Sequence, residues 1–204
     1  MTDQAANIME SDVNSAVATD GNPQAAAVSS QQSNPAVPSQ EPLYGEVPAV
    51  PVLDAVDGIK FDFNNGVRVA FPDNGKLYHI TLMDIDTSTT IFSADTTPGA
   101  SVTSIKKYYV RYRIIIHEKG ATRPIFEYDM DLTGKEVMVQ IPCFTLGDAI
   151  GWFSYVERFQ NKFKCKVLCV MQPFMADILR KQYPEIKFIT KAETKNYQPY
   201  ACYY

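Results

Sequence analysis

The chain has 204 residues, 46 % of them hydrophobic, and a net charge of -4 at pH 7. This length allows one ordinary domain or two small ones, and the hydrophobic content is enough for a buried apolar core. A membrane span is not expected, since no stretch approaches about 18 consecutive apolar residues. The N-terminus also lacks the basic start and apolar run of a secretory leader. We therefore expect a cytoplasmic protein.

The charge is unevenly distributed along the chain. Residues 1–56 contain seven of the 23 acidic residues and no Lys or Arg, whereas the remainder holds all 19 basic residues. The N-terminal segment is rich in Pro, Ala, Ser and Gln, and such a composition buries too little apolar surface to offset its ordering entropy. It predicts a disordered acidic tail over residues 1–56.

The remainder carries 16 acidic residues and so has a charge of only +3, with no dense basic stripe, which gives no indication of nucleic-acid binding. One basic patch occurs in a strand region. It comprises Lys106, Lys107, Arg111 and Arg113. We interpret this patch as a solvated sheet face, with a protein-docking surface as the alternative.

Residues 57–133 show strand patterns separated by turn signals. The segments "IKFDF" and "VRVAF" flank Asn64-Asn65-Gly66, a hairpin-type connection in which Asn and Gly accept positive φ. Further strands are indicated by "KLYHITLMDI", "TIFSA", "KKYYVRYRIIIHE" and "RPIFEYDMDL". In the longest segment Tyr109, Arg111 and Arg113 alternate with Val110, Tyr112 and Ile114, as in a sheet with one solvated face. The prediction is an antiparallel β module, a sandwich or partial barrel.

After Gly134 the period changes. The apolar run "EVMVQIPC" indicates a strand covered on both faces. A helix is predicted over residues 146–163, because apolar residues recur there at three- and four-residue spacings and so form a stripe along one side. The stripe comprises Leu146, Ile150, Phe153, Val156 and Phe159. "CKVLCVM", "MADILRKQYP" and "EIKFIT" continue as strand, helix and strand, so residues 134–204 predict the first βαβαβ part of a Rossmann-like domain.

Cys165 and Cys169 have a spacing that suggests a metal pair. In a regular strand, however, this separation spans about 13 Å, so both thiols cannot bind one ion. We interpret them as apolar core residues. His79 and His117 lie in strand patterns without nearby Cys or carboxylate clusters, so no metal site or catalytic triad is predicted. Trp152 is interpreted as a core or interdomain residue, with sugar stacking as the alternative.

Asp148 follows the first strand of this βαβαβ unit and stands where its helix begins. In open parallel sheets, ligands bind at the edge where the strands end and the helices start. Asp148 is therefore a candidate general base, and Gly147 would let a substrate approach the backbone. An ordinary helix-starting carboxylate is the alternative. "CFTLGDAIG" lacks both GxGxxG spacing and a P-loop Lys, so it has no phosphate fingerprint.

Four short motifs in the α/β region occur together with the β module, namely "TLGD", "GWF", "ERFQ" and "YPEI". In this combination the chain, from about Gly58 to Tyr204, resembles the N-terminal half of the autotransporter heptosyltransferases. The resemblance implies a bacterial cytoplasmic enzyme with a GT-B arrangement, related to the lipopolysaccharide heptosyltransferases. It further implies transfer of heptose from ADP-heptose to Ser hydroxyls of an autotransporter adhesin, and large homo-oligomers.

The resemblance also assigns roles to the TLGD turn. It implies that Asp148 takes the Ser proton and that Thr145, Leu146 and Gly147 lie beside the donor. The family's second Rossmann-like domain and its iron-binding C-terminal cysteine finger have no counterpart in the 204 residues, so no cofactor is expected on this chain. We expect the chain alone to be inactive. The alternative is a non-catalytic interaction module or truncated gene product that binds partner proteins or full-length enzyme subunits.

Overall fold

The computed structural model describes residues 44–104, 109–143 and 145–204. Within these ranges the fold is α/β with two sheets that share one apolar core. The strands are β1 (Leu53–Asp54), β2 (Lys60–Asn64), β3 (Arg68–Ala70), β4 (Tyr78–Asp84), β5 (Thr89–Thr96), β6 (Ser101–Thr103), β7 (Tyr112–Glu118), β8 (Phe126–Asp129), β9 (Glu136–Gln140), β10 (Lys166–Val170), β11 (Lys187–Ile189) and β12 (Ala201–Tyr203). The α-helices are α1 (Leu146–Phe163) and α2 (Pro173–Leu179), and short 3-10 helices span Val56–Gly58 and Lys191–Asn196.

The predicted βαβαβ order is present in the C-terminal part of the chain. Strands β9, β10 and β11 are parallel neighbours, and α1 and α2 connect them in sequence. Helix α1 has the predicted bounds, starts with Thr145 as its N-cap and ends at Lys164, which adopts left-handed φ and ψ angles of 53° and 32°. All three strands therefore point their carboxyl ends to the same edge of the sheet.

The predicted apolar stripe of α1 is only partly buried. Phe153 and Val156 are each 2 % exposed, but Leu146 and Ile150 are 41 % and 50 % exposed, so only part of the stripe packs into the core. Trp152 is 62 % exposed and does not belong to the core of the described chain. The physical reason is that α1 contacts the sheet along a narrower face than the sequence pattern suggests.

Strand β12 was not predicted and joins the two halves of the main sheet. It runs parallel both to β9, where Ala201 opposes Val137, and to β2, where Ala201 opposes Phe63. The main sheet has the order β11-β10-β9-β12-β2-β3-β6, with β1 added beside β2. One sheet therefore continues across the boundary predicted at residues 133 and 134.

The predicted β module contains two layers. Strands β2, β3 and β6 belong to the main sheet, and β5-β4-β7-β8 form a separate antiparallel sheet. The aromatic rings of Phe61 and Tyr128 connect the layers, with centroids 4.7 Å apart. Between β2 and β3, Asn65 and Gly66 have φ angles of 65° and 84°, as the hairpin prediction requires.

The two described residues of the basic patch, Arg111 and Arg113, lie at the start of β7 in the smaller sheet. Arg113 forms an ion pair with Asp129 at 2.5 Å, and Arg111 pairs with Asp86 at 2.9 Å. Lys106 and Lys107 lie outside the described residues. The two arginines therefore agree with a solvated face whose charges are paired within the chain.

The end of the predicted tail is part of the fold. We call residues 44–52 the strap, because this segment runs from a hydrogen bond with Gln140 of β9 to one with Asp62 of β2 before β1 begins. Val47 of the strap packs, with Tyr197 and Tyr204, on the apolar cluster of the main sheet that contains Met138 and Leu168. The prediction of disorder was therefore wrong for residues 44–56. Its remaining part, residues 1–43, lies outside the described residues.

Candidate functional site

The carboxyl ends of β9, β10 and β11 open onto a cleft of about 690 Å³, which we call the carboxyl-edge cleft. One wall is formed by the strap, and the opposite walls by the segments that follow the three strands. The lining residues are Tyr44, Gly45, Glu46, Gln140, Ile141, Pro142, Val170, Met171, Gln172, Pro173, Thr190, Lys191, Ala192, Thr194 and Lys195. This is the edge at which open α/β sheets bind ligands.

Thr145 and Asp148 form a reciprocal pair at the start of α1. The Asp148 backbone N–H donates to the Thr145 hydroxyl oxygen at 3.3 Å, and the Thr145 hydroxyl donates to Asp148 Oδ2 at 2.5 Å. Thr145 is thus the N-cap, while the Asp148 carboxylate lies in the first turn, where the helix dipole stabilises negative charge. Both residues are exposed to solvent.

The TLGD turn and the carboxyl-edge cleft occupy the same edge of the sheet. Asp148 does not line the cleft itself, whose lining on this strand ends at Pro142. A Cβ atom added to Gly147 would have no atom within 4 Å, and Leu146 is 41 % exposed. The turn is therefore exposed to solvent beside the cleft, where a ligand that extends beyond the cleft could contact it. The predicted site residues Thr145, Leu146, Gly147 and Asp148 are adjacent on this turn.

A second cavity of about 400 Å³ lies between α1 and the ends of β9 and β12. Its walls are mainly apolar and include Trp152, Tyr155, Cys143 and Tyr203. The Trp152 and Tyr155 rings have centroids 6.2 Å apart. Trp152 thus stands at the rim of a cavity that shares Gln140, the last residue of β9, and the following Ile141 and Pro142 with the carboxyl-edge cleft.

The segment after β11 carries most of the charge of the cleft. Lys191 and Lys195 line it, and Glu193 closes a capping box with Thr190. The Thr190 backbone N–H donates to Glu193 Oε2 at 2.6 Å, and this hydrogen bond is the main cause that lowers the pKa of Glu193. The Glu193 carboxylate is bound within this capping box and does not line the cleft. The charge that this segment presents to the cleft is therefore that of Lys191 and Lys195.

The cysteines are unsuited to hold a metal ion. Cys165, Cys169 and Cys202 are buried, as predicted for the first two, and burial raises their pKa values to about 11, 12 and 11. Burial also raises the pKa of Cys143. Metal binding requires thiolates, which this environment disfavours. Across residues 44–104, 109–143 and 145–204, no group of three or more His, Cys, Asp or Glu is arranged as a metal site.

His79 has a carboxylate neighbour that the sequence analysis did not foresee. Its Nδ1 lies 2.8 Å from Asp95 Oδ1 and its Nε2 lies 2.9 Å from Ser93 Oγ. The connectivity is that of a Ser-His-Asp triad. Ser93 and Asp95 are exposed and His79 is half-buried on the sheet face, however, and Asp95 also pairs with Lys119 at 2.9 Å. They line none of the described cavities, so we interpret them as a surface network.

Gln140, Tyr44 and Gly45 belong to the cleft but were missed by the sequence analysis. The sequence held a signal for Gln140, because this residue ends the largely apolar run "EVMVQ". In the structure Gln140 is only 3 % exposed. A buried amide must find hydrogen-bond partners, so its position predicts a nearby polar segment. Composition alone gave no corresponding signal for Tyr44 and Gly45.

Comparison with known proteins gives a consistent family match. Residues 56–120 match the family model described as "Glycosyltransferase TibC, N-terminal domain". The chain is 40 % identical over 156 residues to the autotransporter heptosyltransferase BAHTCr of Citrobacter rodentium, covering 76 % of this chain and 37 % of that protein. It is also 37 % identical over 154 residues to the inactive autotransporter heptosyltransferase BimC of Burkholderia thailandensis, covering 76 % and 35 %.

The solved structures agree. The crystal structure of the iron-containing dodecameric glycosyltransferase TibC from enterotoxigenic E. coli superimposes with a TM-score of 0.73 and 39 % identity. TibC in complex with ADP-D-beta-D-heptose gives the same TM-score with 37 % identity. Each match covers 78 % of this chain and 40 % of TibC. The chain thus spans about two-fifths of the length of these relatives.

Neither described α-helix is long and apolar enough to cross a membrane.

Proposed function

This chain is homologous to an N-terminal portion of the autotransporter heptosyltransferases, and on that premise we propose that it is the acceptor-side part of a glycosyltransferase. The reaction is transfer of heptose from ADP-heptose to a Ser hydroxyl of an autotransporter adhesin. The observation that carries the proposal is the exposed Thr145–Asp148 pair at the carboxyl edge of a parallel sheet, in a chain of this family.

In the proposed reaction Asp148 is the general base. A Ser hydroxyl is a weak nucleophile until a base within hydrogen-bond reach accepts its proton. The Ser oxygen forms a bond to the anomeric carbon of heptose, the bond from that carbon to the ADP oxygen breaks, and ADP leaves with the electron pair. The Ser proton moves to the Asp148 carboxylate.

Thr145 orients the base. Its hydroxyl donates to Oδ2 of Asp148, which leaves Oδ1 as the oxygen that we assign to the Ser proton. The same hydroxyl caps α1 by accepting from the Asp148 backbone N–H, so the side chain and the backbone of the base are fixed together. Leu146 and Gly147 complete the turn beside the donor.

The remaining features belong to the proposed whole protein. We assign the βαβαβ unit to the first Rossmann-like half of a GT-B enzyme, with a second domain supplying most contacts to ADP. This placement implies a cytoplasmic enzyme and a homo-oligomer, as in the dodecameric relative TibC. The cysteines described above do not fit iron, so any iron of the whole protein is assigned to a C-terminal cysteine finger, and no step of the reaction uses it.

A non-catalytic interaction module is the second candidate. It is favoured by the similarity to BimC, a relative named as inactive, which matches this chain nearly as well as the active relatives. The coding sequence downstream of Tyr204 distinguishes the two functions. An in-frame continuation with a second Rossmann-like pattern and a cysteine finger supports the enzyme, whereas a stop codon supports the module.

The direct test joins this chain to the remaining part of TibC and measures heptose transfer from ADP-heptose to an adhesin peptide. Transfer that depends on Asp148 supports the proposed function. A joined protein that folds and binds ADP-heptose, yet transfers equally well with Asp148→Asn, contradicts the catalytic assignment.

A further inference from the structure

We infer that the strap is a functional wall of the carboxyl-edge cleft and that Gln140 is the positioning residue that holds it there. The strap enters the cleft through Tyr44, Gly45 and Glu46, all of which line it. The side chain of Gln140 lies at the end of β9, below the point where the strap crosses.

The Gln140 amide pairs with the backbone of Gly45 in both directions. Gly45 N–H donates to Gln140 Oε1 at 2.7 Å, and Gln140 Nε2 donates to the Gly45 carbonyl at 3.3 Å. A primary amide offers both a donor and an acceptor, so it can bind a backbone unit as a neighbouring strand would. Both bonds are buried and join residues 95 positions apart, which ties the strap to β9, the first strand of the βαβαβ unit.

Gly45 is also required by its close approach to Thr194. A Cβ atom at position 45 would lie 2.5 Å from Thr194 Cγ2 and 2.7 Å from Thr194 Oγ1. Thr194 is itself buried and donates its hydroxyl hydrogen to the Lys191 carbonyl at 2.8 Å, so it cannot move freely. Gln140 and Thr194 therefore hold the strap from two sides.

The other end of the strap is held by the β2–β3 hairpin. Arg68 Nη1 donates to the Pro48 carbonyl at 2.8 Å, and Val52 N–H donates to Asp62 Oδ2 at 3.2 Å. Between these points Val50 is 58 % exposed. The strap is thus held by specific hydrogen bonds in addition to the packing of Val47. Segments with few buried apolar contacts open locally at a lower free energy than the core, so these bonds decide its position.

The consequence concerns ligand affinity, and this step rests on the proposed function. The strap, which brings Glu46 to the cleft, faces the wall that carries Lys191 and Lys195. The charges of these two lysines suit the phosphates of a nucleotide-sugar and would add to the contacts that the proposed second domain supplies. A ligand between these walls contacts the strap directly. Displacing the strap should therefore weaken binding of ADP-heptose, while the Thr145–Asp148 pair on α1 stays in place.

The test uses a displacement and its rescue in the full 204-residue chain. Gly45→Ala introduces the Cβ atom that collides with Thr194, and Thr194→Ala removes the two colliding atoms. The variants are Gly45→Ala, Gly45→Ala/Thr194→Ala, Thr194→Ala as the matched control, and Gln140→Leu, which removes both amide bonds at similar side-chain size. Hydrogen exchange reports on the strap amides, with the amides of β4 and β7 as internal reference.

We expect Gly45→Ala and Gln140→Leu to raise exchange of the strap amides at least tenfold, with β4 and β7 unchanged. The double variant should return to within about threefold of Thr194→Ala. A thiol reagent gives a second readout, because Cys202 is fully buried beneath Gln140, whose Nε2 lies 3.4 Å from its Sγ. Labelling of Cys202 should rise in Gly45→Ala and fall again in the double variant.

Unchanged strap exchange in both Gly45→Ala and Gln140→Leu overturns the inference, as does equal loss of protection in the strap and in β4 and β7. Binding is measured on this chain joined to the remaining part of TibC, where Gly45→Ala should weaken binding of ADP-heptose at least tenfold and the double variant should restore it. Equal affinity overturns the strap as a ligand wall. A joined parent that does not bind ADP-heptose counts against the proposed function, and the exchange pattern of the 204-residue chain then decides on the strap and Gln140.

Discussion

Arg68 binds Asp62 through two nitrogens, with Nε 2.8 Å from Oδ1 and Nη2 2.6 Å from Oδ2. The Asp62 carboxylate is fully buried and also accepts from the Asn64 amide and the Val52 backbone. Because Arg68 reaches on to the Pro48 carbonyl, this pair joins the hairpin to the strap. A short hairpin thus anchors a segment that belongs to neither predicted domain.

The first prediction is that Asp62→Ala strongly destabilises the fold. Removing one partner of a buried ion pair leaves the other charge uncompensated, at a cost of about 3 to 5 kcal/mol. Chemical denaturation measures the change. Asp54→Ala is the matched control, since Asp54 pairs with Lys60 in an exposed position and should alter stability little. An Asp62→Ala chain as stable as the parent would show that the buried pair adds nothing.

The sequence indicated the elements whose signals are local. Helix α1 has an apolar period and a capping Thr145, and the hairpin has Asn65-Gly66, so both were predicted where they occur. Strand β12 gives no local signal, because "ACY" is three residues long and becomes a strand only between β9 and β2. Its position depends on pairing with residues far away in the chain.

Prediction of the strap and of the candidate site from the sequence met the same difficulty. Apolar content predicts burial, but the strap is held by Gln140, Arg68 and Asp62, and hydrogen bonds between distant residues leave no mark on composition. At the TLGD turn the sequence located Asp148 on the sheet edge. Its bond from Thr145 appears only in the structure, and the catalytic role stays a prediction.

The second prediction compares two N-terminal deletions. Removing residues 1–43 should leave the unfolding midpoint almost unchanged, since their composition offers little apolar surface. Removing residues 1–52 also deletes the strap, breaks its bonds to Gln140 and Arg68, and uncovers the cluster under Val47. The midpoint should then fall by several degrees. Thermal unfolding of both deletion variants measures the two midpoints. Equal midpoints would mean that the strap contributes no stability.

The third prediction concerns alkaline pH. Burial raises the pKa of Cys169 from its ordinary value of 9.0 to about 12. Above pH 9 the unfolded chain loses this proton while the folded chain keeps it, so stability is complete below pH 9 and is lost as pH rises toward 12. Cys165 and Cys202, with pKa values of about 11, act in the same direction.

Unfolding midpoints at pH 8.5 and 10.5 measure this effect. Cys169→Ala should show a smaller decrease between the two pH values than the parent, although its midpoint at pH 8.5 is lower because a buried side chain is truncated. An equal decrease in both proteins would show that Cys169 does not titrate in the unfolded chain as assumed.

The fourth prediction is that the isolated 204-residue chain does not transfer heptose at an appreciable rate. Holding the donor diphosphate and the acceptor in one geometry is worth about 7 to 11 kcal/mol, and the proposed donor contacts come mainly from a second domain. Mass spectrometry of an adhesin peptide incubated with ADP-heptose detects the product. Transfer at a rate near that of TibC would contradict the expectation and assign the whole reaction to this chain.

The last prediction separates the two interpretations of Asp148 and uses this chain joined to the remaining part of TibC. Asp148→Asn keeps the size of the side chain and its place beside Thr145 but removes the proton acceptor. If Asp148 is the base, transfer should fall about a hundredfold or more, since general base catalysis typically contributes 10² to 10⁴. Thr145→Val is the matched variant, because it removes the hydroxyl that orients the carboxylate and caps α1.

Stability distinguishes catalysis from a helix-starting role. Asn in the first turn loses only the dipole interaction of the carboxylate, about 0.3 to 1 kcal/mol, so Asp148→Asn should unfold close to the parent. Thr145→Val loses the N-cap, typically about 1 kcal/mol, and should unfold earlier while it keeps the base and part of the transfer. Measuring transfer and thermal unfolding on both variants therefore gives opposite patterns for the two residues. Transfer by Asp148→Asn within a few-fold of the parent would leave Asp148 with a structural role only.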